Sequence, residues 1–187
     1  MAETHTITRE IGIDMGHRVT NHHSKCQSVH GHRYRIIAEC LGLLQTRGSS
    51  EGMVVDFGFL KDLMMKEIDT PFDHGLCLWN QDPLVPWMVT NEYDPDDVRE
   101  GMALTGAFAC TTKAAGKVIV VPDVPTAENL ARIWFHRLGR KVKDLTQGYA
   151  RLESVTVWET PNCAAVYRPE WWGTPFVPDW ETEGQPF

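Results

Sequence analysis

The chain has 187 residues, 42% hydrophobic and 23% charged, with a formal net charge of −7 at neutral pH. That length supports one unit with a real core, and the acidic balance argues against nucleic acid as a partner. The 5 cysteines (Cys26, Cys40, Cys77, Cys110, Cys163) are odd in number and form no C-x-x-C pair, so no disulfide framework is expected. Met1 to Glu10 is polar and mixed in charge, unlike a signal peptide, and no apolar run approaches a membrane span. The expected compartment is a reducing cytoplasm, with no membrane partner.

Taken in order, residues 6–19 predict a first strand, with Ile7, Ile11 and Ile13 among its apolar positions. Residues 20–29 are polar and read as a loop, in which His22 and His23 are expected to be solvated and to bind no metal. Residues 30–44 predict a second strand and 45–52 a turn. After Met53-Val54-Val55, Asp56 is a helix N-cap. Phe57, Leu60, Leu63, Met64 and Ile68 follow at helical spacing. This helix is expected to stop near Asp69, because Pro71 opposes continuation.

Residues 80–124 show little periodicity. They hold Pro83, Pro86, an acidic run from Glu92 to Asp97 and small residues around Ala103 to Ala115. Lys117 to Val121 predicts a strand, and the rest reads as an elaboration. Pro125 opens a second helix, with Thr126 as cap and Glu128 near the positive end of the dipole. Leu130, Ile133, Trp134 and Leu138 make its buried stripe. Gly139 marks one candidate end, and Arg140 to Lys143 a candidate extension. Residues 151–160 alternate, putting Val155, Val157 and Glu159 on one face and Ser154, Thr156 and Trp158 on the other. Pro161-Asn162 turns the chain into a last strand, Cys163 to Arg168. The tail, 169–187, is rich in Pro and Trp and reads as an extended surface segment.

The order strand, strand, helix, helix, strand, strand predicts a single α+β domain over 1–187: a four-stranded antiparallel sheet with both helices on one face. Its other face, carrying Trp158, is left uncovered and invites association.

Chemistry concentrates at His30-Gly31-His32. On a strand, His30 and His32 project from the same face, and His17 on the neighbouring strand is placed to add a third imidazole. Three neutral imidazoles with one open position suit a catalytic zinc; Cys26 as a fourth ligand would close a structural site instead. Spacing leaves both open. Cys26, beside Lys25, Arg18 and Arg33, is expected to have its pKa lowered from about 8.5, making it a nucleophile or general base. In Asp73-His74 a carboxylate can orient an imidazole for proton transfer; the same residues before Gly75 read equally well as a helix C-terminus. Glu159 shares an apolar face, where its charge needs partners. A ring with two adjacent N–H donors, as in a pterin or guanine, matches a carboxylate in a fork geometry. A strand-end glutamate facing water is the plainer alternative.

Together, Gly16-His17-Arg18, Cys26-x3-His30-Gly31-His32, Val55-Asp56-Phe57, Asp73-His74, Pro125-Thr126-x-Glu128-Asn129 and Trp158-Glu159-Thr160 resemble the 6-pyruvoyltetrahydropterin and 6-carboxytetrahydropterin synthase superfamily. The resemblance implies the tunnelling fold (T-fold), and a homo-oligomeric barrel, usually a hexamer, with active sites at subunit interfaces. It implies His17, His30 and His32 as ligands of Zn2+, Cys26 as the proton-abstracting base and Asp73 and His74 as an acid–base relay. Glu159 would anchor the pterin, with Thr126 and Glu128 lining its pocket. The three residues between Cys26 and His30 are similar to the spacing in 6-carboxytetrahydropterin synthases of queuosine and deazapurine biosynthesis. The reaction so implied converts 7,8-dihydroneopterin triphosphate to 6-carboxytetrahydropterin, acetaldehyde and triphosphate. Lys25, Arg18, Arg33 and Arg35 are candidates for the triphosphate. Elimination to the pyruvoyl product, or a structural-zinc binding module, are the alternatives. The long 80–124 segment is the main departure from the pattern.

Overall fold

The computed structural model describes residues 3–177. β1 (Thr4–His17) and β2 (His30–Leu43) pair antiparallel along their whole length, from Thr4 opposite Leu43 to His17 opposite His30. Because side chains alternate across a strand, Ile11, Ile13 and Met15 of β1 and Tyr34, Ile36 and Ala38 of β2 bury one common face.

The helices that cover this face begin where local chemistry dictates. Asp56 accepts hydrogen bonds from the Gly58 and Phe59 N–H groups and opens α1 (Phe57–Met64). Leu60, Leu63, Met64 and Ile68 are buried, but Phe57 is 53% exposed, so the expected apolar stripe starts one turn later. The helical path also outlasts the predicted stop at Asp69. A π-helical turn, Met65–Asp69, leads into α2 (Thr70–Phe72), with Pro71 in its first turn. Resetting the hydrogen-bond ladder puts Pro71 where its missing N–H has no partner to lose, and Phe72 is carried into the core. Thr126 caps α5 (Ala127–Leu145) by accepting from the Asn129 N–H, and this helix passes straight through Gly139.

The sheet is larger than the sequence suggested. The expected antiparallel strands are present as β1, β2, β6 (Ala150–Thr160) and β7 (Cys163–Tyr167). Three more extend it: β3 (Leu76–Trp79), β4 (Phe108–Thr112) and β5 (Gly116–Val121). The 7-stranded order is β4-β5-β3-β1-β2-β6-β7, and β3 runs parallel to both β1 and β5, so the sheet is mixed rather than purely antiparallel. β5 is the strand expected at Lys117 to Val121, but β3 was missed because it is a short, continuous apolar run without alternation.

The 80–124 segment accordingly has structure of its own. It adds α3 (Leu84–Met88) and α4 (Pro95–Thr105) to β4 and β5. Ile119 and Val121 of β5 join the main core with Trp134 and Phe72, whereas Val118 and Val120 join Leu78, Val85 and Val98 in a second cluster. Helices therefore cover both faces at this end of the sheet, not one face throughout. Elsewhere the second face carries ion pairs, Arg35 with Glu10 at 2.8 Å and Arg33 with Asp14, and a cation–π contact of Arg35 over the Trp158 ring at 5.7 Å. No described helix is long and apolar enough to cross a membrane. The predicted tail is described only to residue 177, where the Arg151 guanidinium holds the Thr174 carbonyl at 2.8 Å; residues 178–187 lie outside the described part.

Candidate active site at the end of the first hairpin

The last rung of the β1–β2 ladder is His17 opposite His30, and His32 stands two residues along the same face. One ring nitrogen from each of His17, His30 and His32 can be chosen so that all lie within 4.8 Å of one another. His17 Nδ1 is 2.7 Å from the Pro125 carbonyl oxygen and His30 Nδ1 is 2.8 Å from that of Ser28. A carbonyl can only accept, so each Nδ1 carries the proton and each Nε2 is left with a lone pair. His17 Nε2 is buried without a hydrogen-bond partner. An orphaned lone pair facing two more imidazoles is what a borderline-soft dication such as zinc would satisfy, so the donor set fits the metal. Burial pushes the His17 pKa below its ordinary value, against the Pro125 bond and the Glu159 charge; burial likewise lowers His32 against Glu159. Both effects favour the neutral rings a metal needs.

Glu159 lies on the Val155–Val157 side, as the alternation predicts. Its Oε1 is 3.5 Å from His17 Nε2 and 4.0 Å from His32 Nε2, and the Tyr34 hydroxyl donates to it at 3.5 Å. Tyr34 is fully buried; burial first, then the Glu159 charge, raises its pKa and keeps it a neutral donor. Sequence reasoning passed over Tyr34, although it is the next residue after His30 and His32 on their face.

Cys26 sits in a short 3-10 turn, Lys25–Gln27, whose cap Ser24 accepts from the Cys26 N–H at 3.2 Å. It lines one cleft of about 230 Å3 with His17, His30, Thr126, Glu128 and Glu159. His22 is exposed in its loop, as expected, and also borders this cleft. Larger cavities exist, one of about 580 Å3 beside Arg137 and Lys141. The histidine cleft is distinguished by its chemistry, not by its size.

Asp73 and His74 do not line that cleft. They form a pair with Asp73 Oδ2 2.6 Å from His74 Nδ1, held to the edge of β1: Asp73 accepts from the Asp14 N–H and the His74 N–H donates to the Asp14 carbonyl. Lys117 Nζ donates to the Thr70 and Asp73 carbonyls, so this is a helix end and a carboxylate–imidazole pair at once. Burial works to raise the Asp73 carboxyl, but the Asp14, His74 and Lys117 contacts outweigh it and hold it below its ordinary value. His74 is 76% exposed on its side chain, and its φ of 56° is left-handed. Of the basic candidates, Arg18 is paired with Asp82, Arg33 with Asp14 and Arg35 with Glu10.

A mixed seven-stranded sheet ending in three clustered imidazoles defines an α+β protein with a candidate metal site. The chain belongs to the 6-pyruvoyl tetrahydropterin synthase family, whose family model matches residues 6–170. A curated 6-carboxy-5,6,7,8-tetrahydropterin synthase of Haemophilus influenzae is 32% identical over 162 residues, covering 87% of this chain and 97% of that one. One of the same name from Rickettsia conorii is 34% identical over 156 residues, covering 83% and 94%. Among solved structures, an uncharacterized protein of Wolinella succinogenes matches with a TM-score of 0.67 at 22% identity, covering 90% of this chain and all of that one (100%). A catalytic-residue mutant of Plasmodium vivax 6-pyruvoyltetrahydropterin synthase matches at 0.60 and 17%, covering 89% and 98%. At those identities the likeness speaks for the fold.

Proposed function

We propose that this chain is a zinc-dependent carbon–carbon lyase of pterin metabolism. It would convert 7,8-dihydroneopterin triphosphate and one water to 6-carboxy-5,6,7,8-tetrahydropterin, acetaldehyde and triphosphate, in cytoplasmic queuosine or deazapurine biosynthesis. The observation that carries this reading is that the His17, His30 and His32 cluster borders a cleft which His17 and His30 line together with Cys26, Thr126, Glu128 and Glu159. The names of the curated relatives support the carboxy product.

His17, His30 and His32 would hold the zinc, which supplies Lewis acidity toward substrate hydroxyls and the neighbouring C–H. Glu159 accepts the ring N–H donors and fixes the pterin so that its side chain meets the histidines. Thr126 and Glu128 line the ring's pocket. Cys26 takes a proton from the activated carbon. His74, its Nδ1 occupied by Asp73, returns a proton from Nε2. The Asp73–His74 pair stands outside the cleft of its own chain, and that cleft of about 230 Å3 is smaller than the roughly 300–1,000 Å3 usual for ligand sites. Both observations support a homo-oligomer, a hexamer on the family pattern, in which another copy completes each site. In this reading 1–187 is one domain, elaborated at 80–124.

Incubating the purified, zinc-loaded protein with 7,8-dihydroneopterin triphosphate, alongside Cys26→Ala, tests the proposal. The expected outcome is acetaldehyde and 6-carboxytetrahydropterin from the unaltered chain only, with zinc retained in the variant. A pyruvoyl product would move the chain to the sister activity. No turnover, with zinc lost from Cys26→Ala, would sink the catalytic reading in favour of a structural zinc module.

A further inference from the structure

We propose that Asp82, from the segment that departs most from the family pattern, is the positioning residue for Cys26. The inference rests on the reading of Cys26 as the working thiol. The loop that carries Cys26 begins where the β1–β2 ladder ends, at His17 and His30. Between them only the 3-10 turn Lys25–Gln27 is regular, and that turn buries no residue. Thr20 is the one buried residue of 18–29. A loop with so little core contact has no packing reason to hold a thiol at a fixed distance from three imidazoles.

Asp82 supplies the missing anchor. Its side chain is fully buried, and every bond it makes points at a defined donor. Oδ2 accepts from Arg18 Nε at 2.8 Å and from the Thr20 hydroxyl; Oδ1 accepts from the Leu84 N–H at 2.9 Å. Its own backbone is held on both sides, its N–H to the Trp79 carbonyl and its carbonyl to the Val85 N–H. A buried carboxylate with charged and neutral donors on both oxygens is rigid, and removing a partner leaves the rest uncompensated.

The residue between Arg18 and Thr20 passes the constraint on. The Val19 N–H donates to the carbonyl of Cys26 itself at 2.8 Å. The Gln27 side-chain amide, next to Cys26, donates to the Thr20 carbonyl at 3.2 Å. Two hydrogen bonds therefore run from the stretch pinned by Asp82 to Cys26 and its neighbour. Arg18 and Thr20 lie 64 and 62 residues from Asp82 in sequence. The elaboration thus contributes one carboxylate to the site without entering the cleft.

Asp82→Asn is nearly isosteric and removes the charge that holds Arg18. Positioning errors of about 1 Å can cost about 100-fold, so kcat on the pterin triphosphate is expected to fall roughly 10- to 100-fold with KM little changed and zinc content intact. A readout independent of turnover is the rate of iodoacetamide alkylation at Cys26, resolved by peptide mass spectrometry, with exposed Cys163 as internal reference. The Cys26 rate is expected to rise several-fold and the Cys163 rate to stay. Should Asp82→Asn fail to fold, Thr20→Val removes a single bond of the cluster and is read the same way. A fall in melting temperature alone, with Cys26 alkylation at the wild-type rate, would overturn the proposal and make Asp82 purely structural. If the unaltered chain shows no turnover, the reading of the reaction fails, and the alkylation rates still decide whether Asp82 positions Cys26.

Discussion

His17 illustrates how much one position can carry. It is 1% exposed, its Nδ1 is spoken for by Pro125, and its Nε2 lies near the other two imidazoles and Glu159 without a hydrogen-bond partner. Outer-shell changes at metal sites cost about 10- to 100-fold in affinity, so loss of a ligand should cost at least that. His17→Ala is expected to lose its metal on dialysis while the unaltered chain keeps about one zinc, measured by elemental analysis. Ligand binding to the native state raises stability by mass action. A chelator should therefore lower the melting temperature of the unaltered chain and leave that of His17→Ala unmoved. Equal zinc content in the two would show that the histidines do not hold the ion. At this scale the sequence was informative where residues are near neighbours: His-x-His sharing a face is a property of any strand. Tyr34 on the same face was equally legible in spacing, but a buried tyrosine there reads as core until Glu159 is seen to approach it.

At the scale of elements, α5 carries a residue that does not suit it. Gly139 lies inside the helix, and a Cβ there would meet only Phe135 at 3.8 Å and Leu152 at 4.0 Å, ordinary contacts. Packing gives no reason for glycine, which costs about 1 kcal/mol against alanine in a helix interior. Gly139→Ala is expected to stabilise the protein by up to about 1 kcal/mol, seen as a raised denaturation midpoint with activity unchanged. A destabilised variant would mean that Phe135 and Leu152 cannot accommodate the added methyl. Gly75 is the opposite case: a Cβ would come within 2.3 Å of Ile119 Cδ1, so β3 can approach β5 only because this residue has no side chain. The Pro71 expectation failed for a similar reason. A proline ends a regular α-helix, but the π turn before it changes the position at which proline falls.

Over the whole molecule, the proposed acid–base groups are divided between two places. Cys26 lines the histidine cleft, whereas Asp73 and His74 are tied to Asp14, whose side chain alternates away from the His17 face of β1. If neighbouring copies complete each site, chains defective in different halves should complement. Cys26→Ala and His74→Ala, each inactive alone, are expected to regain up to about a quarter of wild-type activity when dissociated and reassembled together, since random pairing leaves that fraction of sites with both groups intact. No recovery from assemblies shown to be mixed would place both groups of a working site on one chain.

The sequence by itself determined what rests on short spacings. The caps at Asp56 and Thr126, the shared face of His30 and His32, and the turn of Glu159 toward Val155 and Val157 follow from geometry over two to four residues. Only the tertiary structure decided the partners that meet across long stretches of chain. Among them are Asp73 with Asp14, 59 residues apart, Arg18 with Asp82, 64 apart, and the insertion of β3 beside β1. A local pattern constrains the dihedral angles of its own residues, so it can be read from spacing. A long-range contact is selected by which packing buries the most apolar surface and leaves no buried polar group unpaired, and that comparison is made only when the whole chain has folded.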